Sequence, residues 1–167
     1  MCVTTGPAFA RNRAPDPTGE WRVADGKALI RVVDCGKALW GVVSWAARPG
    51  RDIHNPNAAL RRRPTLGMPI LLNMQPTDER GHWEGQIYNA DDGRTYDASI
   101  ALSNAGTLHV EGCALGFLCG GEDWTRARRS APHIAGHERG TTGEASPASA
   151  PAATICSRVA VVPGRPH

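Results

Sequence analysis

No run of about 18 apolar residues occurs in this chain, so no transmembrane helix can be read from it. The sequence motifs of several enzyme classes are also missing. There is no G-x-S-x-G nucleophile elbow, no H-E-x-x-H zinc motif and no glycine-rich phosphate loop, because Gly116 and Gly120-Gly121 precede no helical pattern. Helical periodicity is almost absent. Charge of one sign is lacking over the middle of the chain, where residues 18–126 carry 12 Lys and Arg against 13 Asp and Glu. The formal net charge of +3 therefore belongs to the two ends. A basic nucleic-acid footprint on the folded part is disfavoured.

What is present reads as short strands. In Gly81–Leu102, two alternating runs flank Asn89-Ala90-Asp91-Asp92-Gly93. Trp83, Gly85 and Ile87 share one face of the first arm, and Tyr96, Ala98, Ile100 and Leu102 share one face of the second. A period of two on both arms predicts a hairpin with one buried side, and Gly93 supplies the positive φ of its turn. Further strands are expected at Gly19–Val23, Ala28–Val33, Ala38–Ala46, Leu66–Met74, Thr107–Cys113 and Leu115–Thr125. A long polar loop runs from Arg48 to Thr65, with a single helical turn near Asn57–Arg62 between Pro56 and Pro64. Eight short strands at this spacing argue for an antiparallel barrel or sandwich. All five tryptophans fall within 18–126 and are expected to pack its core.

The ends differ in composition. Residues 1–17 are a leader whose Pro7-Ala8-Phe9-Ala10 resembles the small-x-small end of a secretory signal, although no charged or apolar region precedes it; a plain disordered leader fits as well. Residues 127–167, rich in Ala, Pro, Gly, Ser and Arg, are expected to be a disordered tail. Of the five cysteines, Cys113 and Cys119 are the best candidates for a bridge, which needs an oxidising compartment; two reduced, buried thiols are the alternative.

Gly19-Glu20-Trp21, Asp52 with Asn55-Pro56, Leu60-Arg61, Arg63-Pro64, Gly67, the run Trp83 to Asn89, Gly93, Tyr96, Leu108, Gly112 and Trp124-Thr125-Arg126 occur together and in order. This set resembles the DUF2147 family, small bacterial proteins of uncharacterised function, typically exported, with a lipocalin-like β-barrel. The resemblance covers about 18–126. It implies an all-β, eight-stranded, antiparallel, lipocalin-like up-and-down barrel and a periplasmic or secreted location, and it brings no reaction or catalytic residue. In such barrels a G-x-W on the first strand lies under an arginine of the last, so Gly19, Trp21, Trp124 and Arg126 are expected to be structural. Members often carry a second cysteine where this chain has Trp40. If that pair is a disulfide, Cys35 has lost its partner here.

Catalytic candidates are weak. His109, Glu111 and Cys113 share a strand face, but a surface histidine beside a structural disulfide explains them. His54, His82 and His109 have no ligand spacing, and Pro132 and Gly136 spoil the His133/His137 pair, so neither metal nor cofactor is expected. The remaining bet is the long loop, with Asp52, Asn55, Arg61 and Arg63, joined by Tyr88 and Tyr96, as the ligand-binding set. The expected function is non-enzymatic binding of a small apolar or amphiphilic molecule in the cell envelope. The alternative is a filled barrel that docks a protein partner.

Overall fold

The structure, a computed structural model, describes residues 15–127 and 150–160. Most of the expected leader, the His133/His137 pair and most of the expected tail lie outside these residues. The strands are β1 (Gly19–Arg22), β2 (Ala28–Asp34), β3 (Leu39–Ala46), β4 (Pro69–Pro76), β5 (His82–Asn89), β6 (Arg94–Asn104), β7 (Thr107–Ala114) and β8 (Leu118–Arg126), and they close in chain order into an antiparallel barrel. Two starts lie three residues later than expected. β4 begins at Pro69 because Leu66 and Gly67 sit in a turn closed by the Met68 amide on the Thr65 carbonyl, while the Gly67 amide bonds the Val43 carbonyl of β3. β8 begins at Leu118 because Leu115 and Gly116 make the hairpin turn.

Alternation decides the interior. Trp21, Ile30, Val32, Leu39, Val43, Leu71, Met74, Ile100, Leu108, Val110 and Trp124 form one buried cluster, with Trp83 and Ile87 half-buried against it. Two indoles and several branched side chains meet across eight short strands, so the barrel axis is occupied by the protein itself.

β1 and β8 meet over two register pairs only, Trp21↔Arg126 and Arg22↔Thr125. The Arg126 guanidinium compensates for so short a seam. It lies 4.2 Å from the centroid of the Trp21 ring. Its Nη1 donates to the Thr18 carbonyl at 2.7 Å, Nη2 to the Asp16 carbonyl at 2.8 Å and Nε to the Ala105 carbonyl at 2.7 Å. One planar fork thus ties three chain segments over a buried indole, a geometry an ammonium cannot reproduce.

The disordered tail expected for 127–167 is corrected at its far end. Ala152–Val159 is a helix, α1, whose Ile155 and Val159, four residues apart, pack on Val33 and Val42 of the outer barrel face beside half-buried Trp40. Cys35 is bonded to Cys156, so it is not left without a partner, and Cys113 is bonded to Cys119. An eight-residue helix does not stand alone in water. Here a covalent tether and two buried aliphatic side chains hold it.

Candidate functional site

The connection between β3 and β4, residues 47–68, folds back against the outside of β5. Its central turn, Ala58–Leu60, starts where the Asn57 side chain accepts from the Ala59 amide at 3.0 Å. The loop reaches the β5–β6 turn, where a Cβ on Gly93 would lie 1.9 Å from the His54 carbonyl oxygen. Only a residue without a side chain lets the two backbones approach so closely, and Gly93 also has φ +71°.

A buried carboxylate holds this loop. Asp52, with no accessible surface, accepts from the Tyr88 hydroxyl at 2.6 Å, from Asn55 Nδ2 at 2.7 Å and from Arg63 Nε at 2.8 Å, and Arg63 Nη2 forms an ion pair with it at 2.8 Å. These contacts engage both carboxylate oxygens. Arg63 stacks over the Tyr88 ring at 5.4 Å, and Arg61 Nε donates to the Asn55 carbonyl at 2.8 Å. Burial, and then the adjacent Asp52 carboxylate, push the Tyr88 phenol up to about 12.

The structure therefore brings together Asp52, Asn55, Arg63 and Tyr88, with Arg61 at their edge. It leaves out Tyr96, which pairs with Ile87 on the opposite face of the sheet and donates its hydroxyl to Asp92. Asp52 and Asn55 are spent on the loop and offer nothing to a ligand. Their effect is to fix Arg63.

Arg63 is the link to a cleft on the outer face of the barrel. About 130 Å³ is enclosed by Val42, Gly67 and Pro69 on the barrel side, by Ile155, Arg158 and Val159 of α1, and by Arg63 itself. The floor is aliphatic and the two charged groups are both cations. Arg63 is neutralised by Asp52. Arg158, exposed in the last turn of α1, has no counter-ion among the described residues. The cleft thus presents one uncompensated positive charge beside an apolar floor. Sequence reasoning missed Val42, Pro69, Ile155, Arg158 and Val159. The available signals were the aliphatic spacing of Ile155 and Val159 around Cys156, and apolar Trp40 and Val42 on a strand face that would otherwise meet water.

The remaining candidates lie elsewhere. His109 Nδ1 is 2.8 Å from Asp123 on an exposed part of the sheet. Cys113 shares that face, but its sulfur is committed to Cys119, which removes any Cys/His pair and leaves Glu111 as the single ligand group in its cluster.

The comparisons agree with this architecture. A family model described as "Uncharacterized protein conserved in bacteria (DUF2147)" matches residues 19–126. Among solved structures, the one titled "Protein HP1028 from the human pathogen Helicobacter pylori belongs to the lipocalin family" superposes with a TM-score of 0.61 at 19% identity, over 68% of this chain and 84% of that one. At that identity the likeness shows a shared fold. No curated protein matches the chain.

Proposed function

The chain belongs to the DUF2147 family, and on that basis we propose that it is a non-enzymatic binding protein of the cell envelope that holds a small, partly apolar monoanion in the cleft beneath α1. The single observation that carries this reading is the lining of the cleft, an aliphatic floor between a fixed Arg63 and an uncompensated Arg158. The barrel axis, where a lipocalin-like fold would first be searched, is filled by Trp21, Trp124, Leu71, Met74 and Ile100. A cleft of about 130 Å³ suits a benzene-sized apolar group, since an engineered apolar cavity of about 150 Å³ holds benzene. The negative end would meet Arg158 as a charge-assisted hydrogen bond.

Among the described residues the lining holds no carboxylate, histidine or thiol to move a proton or attack a bond, which supports binding over catalysis. Two disulfides support residence in an oxidising compartment.

Titration calorimetry of the oxidised full chain with octanoate and with octanol tests the reading. Octanoate is expected to bind and octanol to bind at least tenfold more weakly. Arg158→Glu, at a solvent-exposed position, should abolish the difference. Equal binding of acid and alcohol, or octanoate binding that Arg158→Glu leaves unchanged, refutes it.

A further inference from the structure

We propose that the β7–β8 tip, carrying Leu115, Phe117 and Leu118, is a membrane-docking element that inserts into the interfacial layer of a zwitterionic phospholipid bilayer. The three side chains are 81%, 72% and 61% exposed, the highest values among the described large apolar residues apart from Ile53 at 62%. They are neighbours on a single turn. Phe117 N donates to the Ala114 carbonyl at 3.3 Å, and the two residues between have φ +56° (Leu115) and +76° (Gly116). Two successive positive φ values are the pattern of a type I′ turn, whose first central position favours Asn, Asp or Gly. A leucine there forces its Cβ toward the backbone carbonyl and gains no burial in return. The chain accepts a strained backbone to present an apolar side chain to solvent, a combination that points to function. One rung behind, the Cys113–Cys119 bond fastens the two strands, so the tip is presented on a rigid stem.

Shape and area choose the occupant. At those exposures the three side chains offer roughly 400 Å², about half of the ~800 Å² per partner of a stable protein interface. A bilayer needs no complementary surface and accepts a convex turn. Charge then chooses the lipid. No Lys or Arg occurs between Arg94 and Arg126. The stem instead carries Glu111, whose carboxylate lies within 4.8 Å of the disulfide sulfurs, one rung behind the turn. A carboxylate at that rung faces lipid head groups within roughly one Debye length, about 8 Å at physiological salt, and would be repelled by an anionic surface.

Flotation of the oxidised full chain with phosphatidylcholine vesicles at physiological salt provides the test. The protein is expected to float with the vesicles, less so when about a third of the lipid is phosphatidylglycerol. The double variant Leu115→Asn/Phe117→Ser should float at least tenfold less. Asn followed by Gly is a preferred type I′ pair, so the melting temperature of the variant should not fall, and octanoate binding in the α1 cleft should be unchanged. Three results overturn the proposal. The first is a wild type that stays in solution, and the second a double variant that floats as the wild type does. The third is binding that grows with phosphatidylglycerol, which would mark adsorption through the basic chain ends. A dimer seen by light scattering that the double variant abolishes, without any flotation, would assign the tip to a second copy of the chain instead.

Discussion

Asp52→Ala separates a loop-holding role from a ligand-contacting one. The substitution deletes three hydrogen bonds and an ion pair, strands the Arg63 guanidinium beside a small void, and leaves Asn55 Nδ2 and the Tyr88 hydroxyl only their mutual 3.1 Å bond. Breaking a buried ion pair from one side costs about 3–5 kcal/mol. The Arg63 side chain is 25% exposed, so water recovers part of its solvation and the loss falls at the lower end, about 3 kcal/mol. For a domain of this size each kcal/mol moves the melting temperature by about 4 °C or more, so a drop of about 12 °C is expected by tryptophan fluorescence. The amides of Asp52 and Asn55, bonded to the Arg63 and Asp52 carbonyls, should lose their protection from hydrogen exchange as the loop lifts. Adding Arg63→Met to Asp52→Ala should recover part of the loss, because the stranded cation is then gone. A drop under about 4 °C with those amides still protected would refute the claim that this carboxylate holds the loop.

Alkaline pH probes the same cluster. Burial and the Asp52 carboxylate raise the Tyr88 phenol from 10.0 to about 12. The folded chain therefore holds that proton more tightly than the unfolded chain, and its stabilising share is complete below pH 10 and lost as pH rises toward 12. At about 1.4 kcal/mol per unit the loss is on the order of 2–3 kcal/mol, measurable as a lower denaturation midpoint at pH 11.5 than at pH 9. Tyr88→Phe should remove most of this difference. Tyr96, raised by its bond to Asp92 in full solvent, adds the smaller share. Arg126→Lys should cost about 2 kcal/mol, because one ammonium cannot bond three separate carbonyls and cover the Trp21 ring; an unchanged melting temperature would count against the seam staple. Cys35→Ser/Cys156→Ser should release α1, exposing Arg158 and Ile155 to proteolysis and ending octanoate binding, while the barrel melts within a few degrees of the wild type. Persistent binding in that variant would place the ligand elsewhere.

The barrel was legible because its central hairpin, β5 and β6, obeys one rule. Trp83, Gly85 and Ile87 against Tyr96, Ala98 and Ile100 is a period-two pattern that specifies face and register together, and the structure pairs Ile87 with Tyr96 and Trp83 with Ile100. The seam was legible for a different reason. Trp21 and Arg126 lie 105 residues apart in sequence, and no local pattern joins them. The family resemblance supplied that contact, and the stacking distance of 4.2 Å supplies its physical content.

The candidate site escaped because period-two reasoning asks which residues face inward. Val33, Val42 and Trp40 point outward, where the pattern expects water, and their apolar character makes sense only once something covers them. The cover comes from more than a hundred residues downstream, in a segment whose composition argues against order. Summed over 127–167, that argument stands, because so few aliphatic side chains cannot offset the ordering entropy of a whole tail. It does not apply to eight residues fixed by a disulfide. The Cys35–Cys156 bond supplies the closeness that composition could not, and Ile155 and Val159 then need to bury only their own side chains to seat the helix. The cue was the cysteine count. With Cys113 and Cys119 paired, Cys2, Cys35 just past the end of β2 and Cys156 among isolated aliphatic residues were left, and the pairing of Cys35 with Cys156 turns an outward apolar face and a nominal tail into two walls of one cleft.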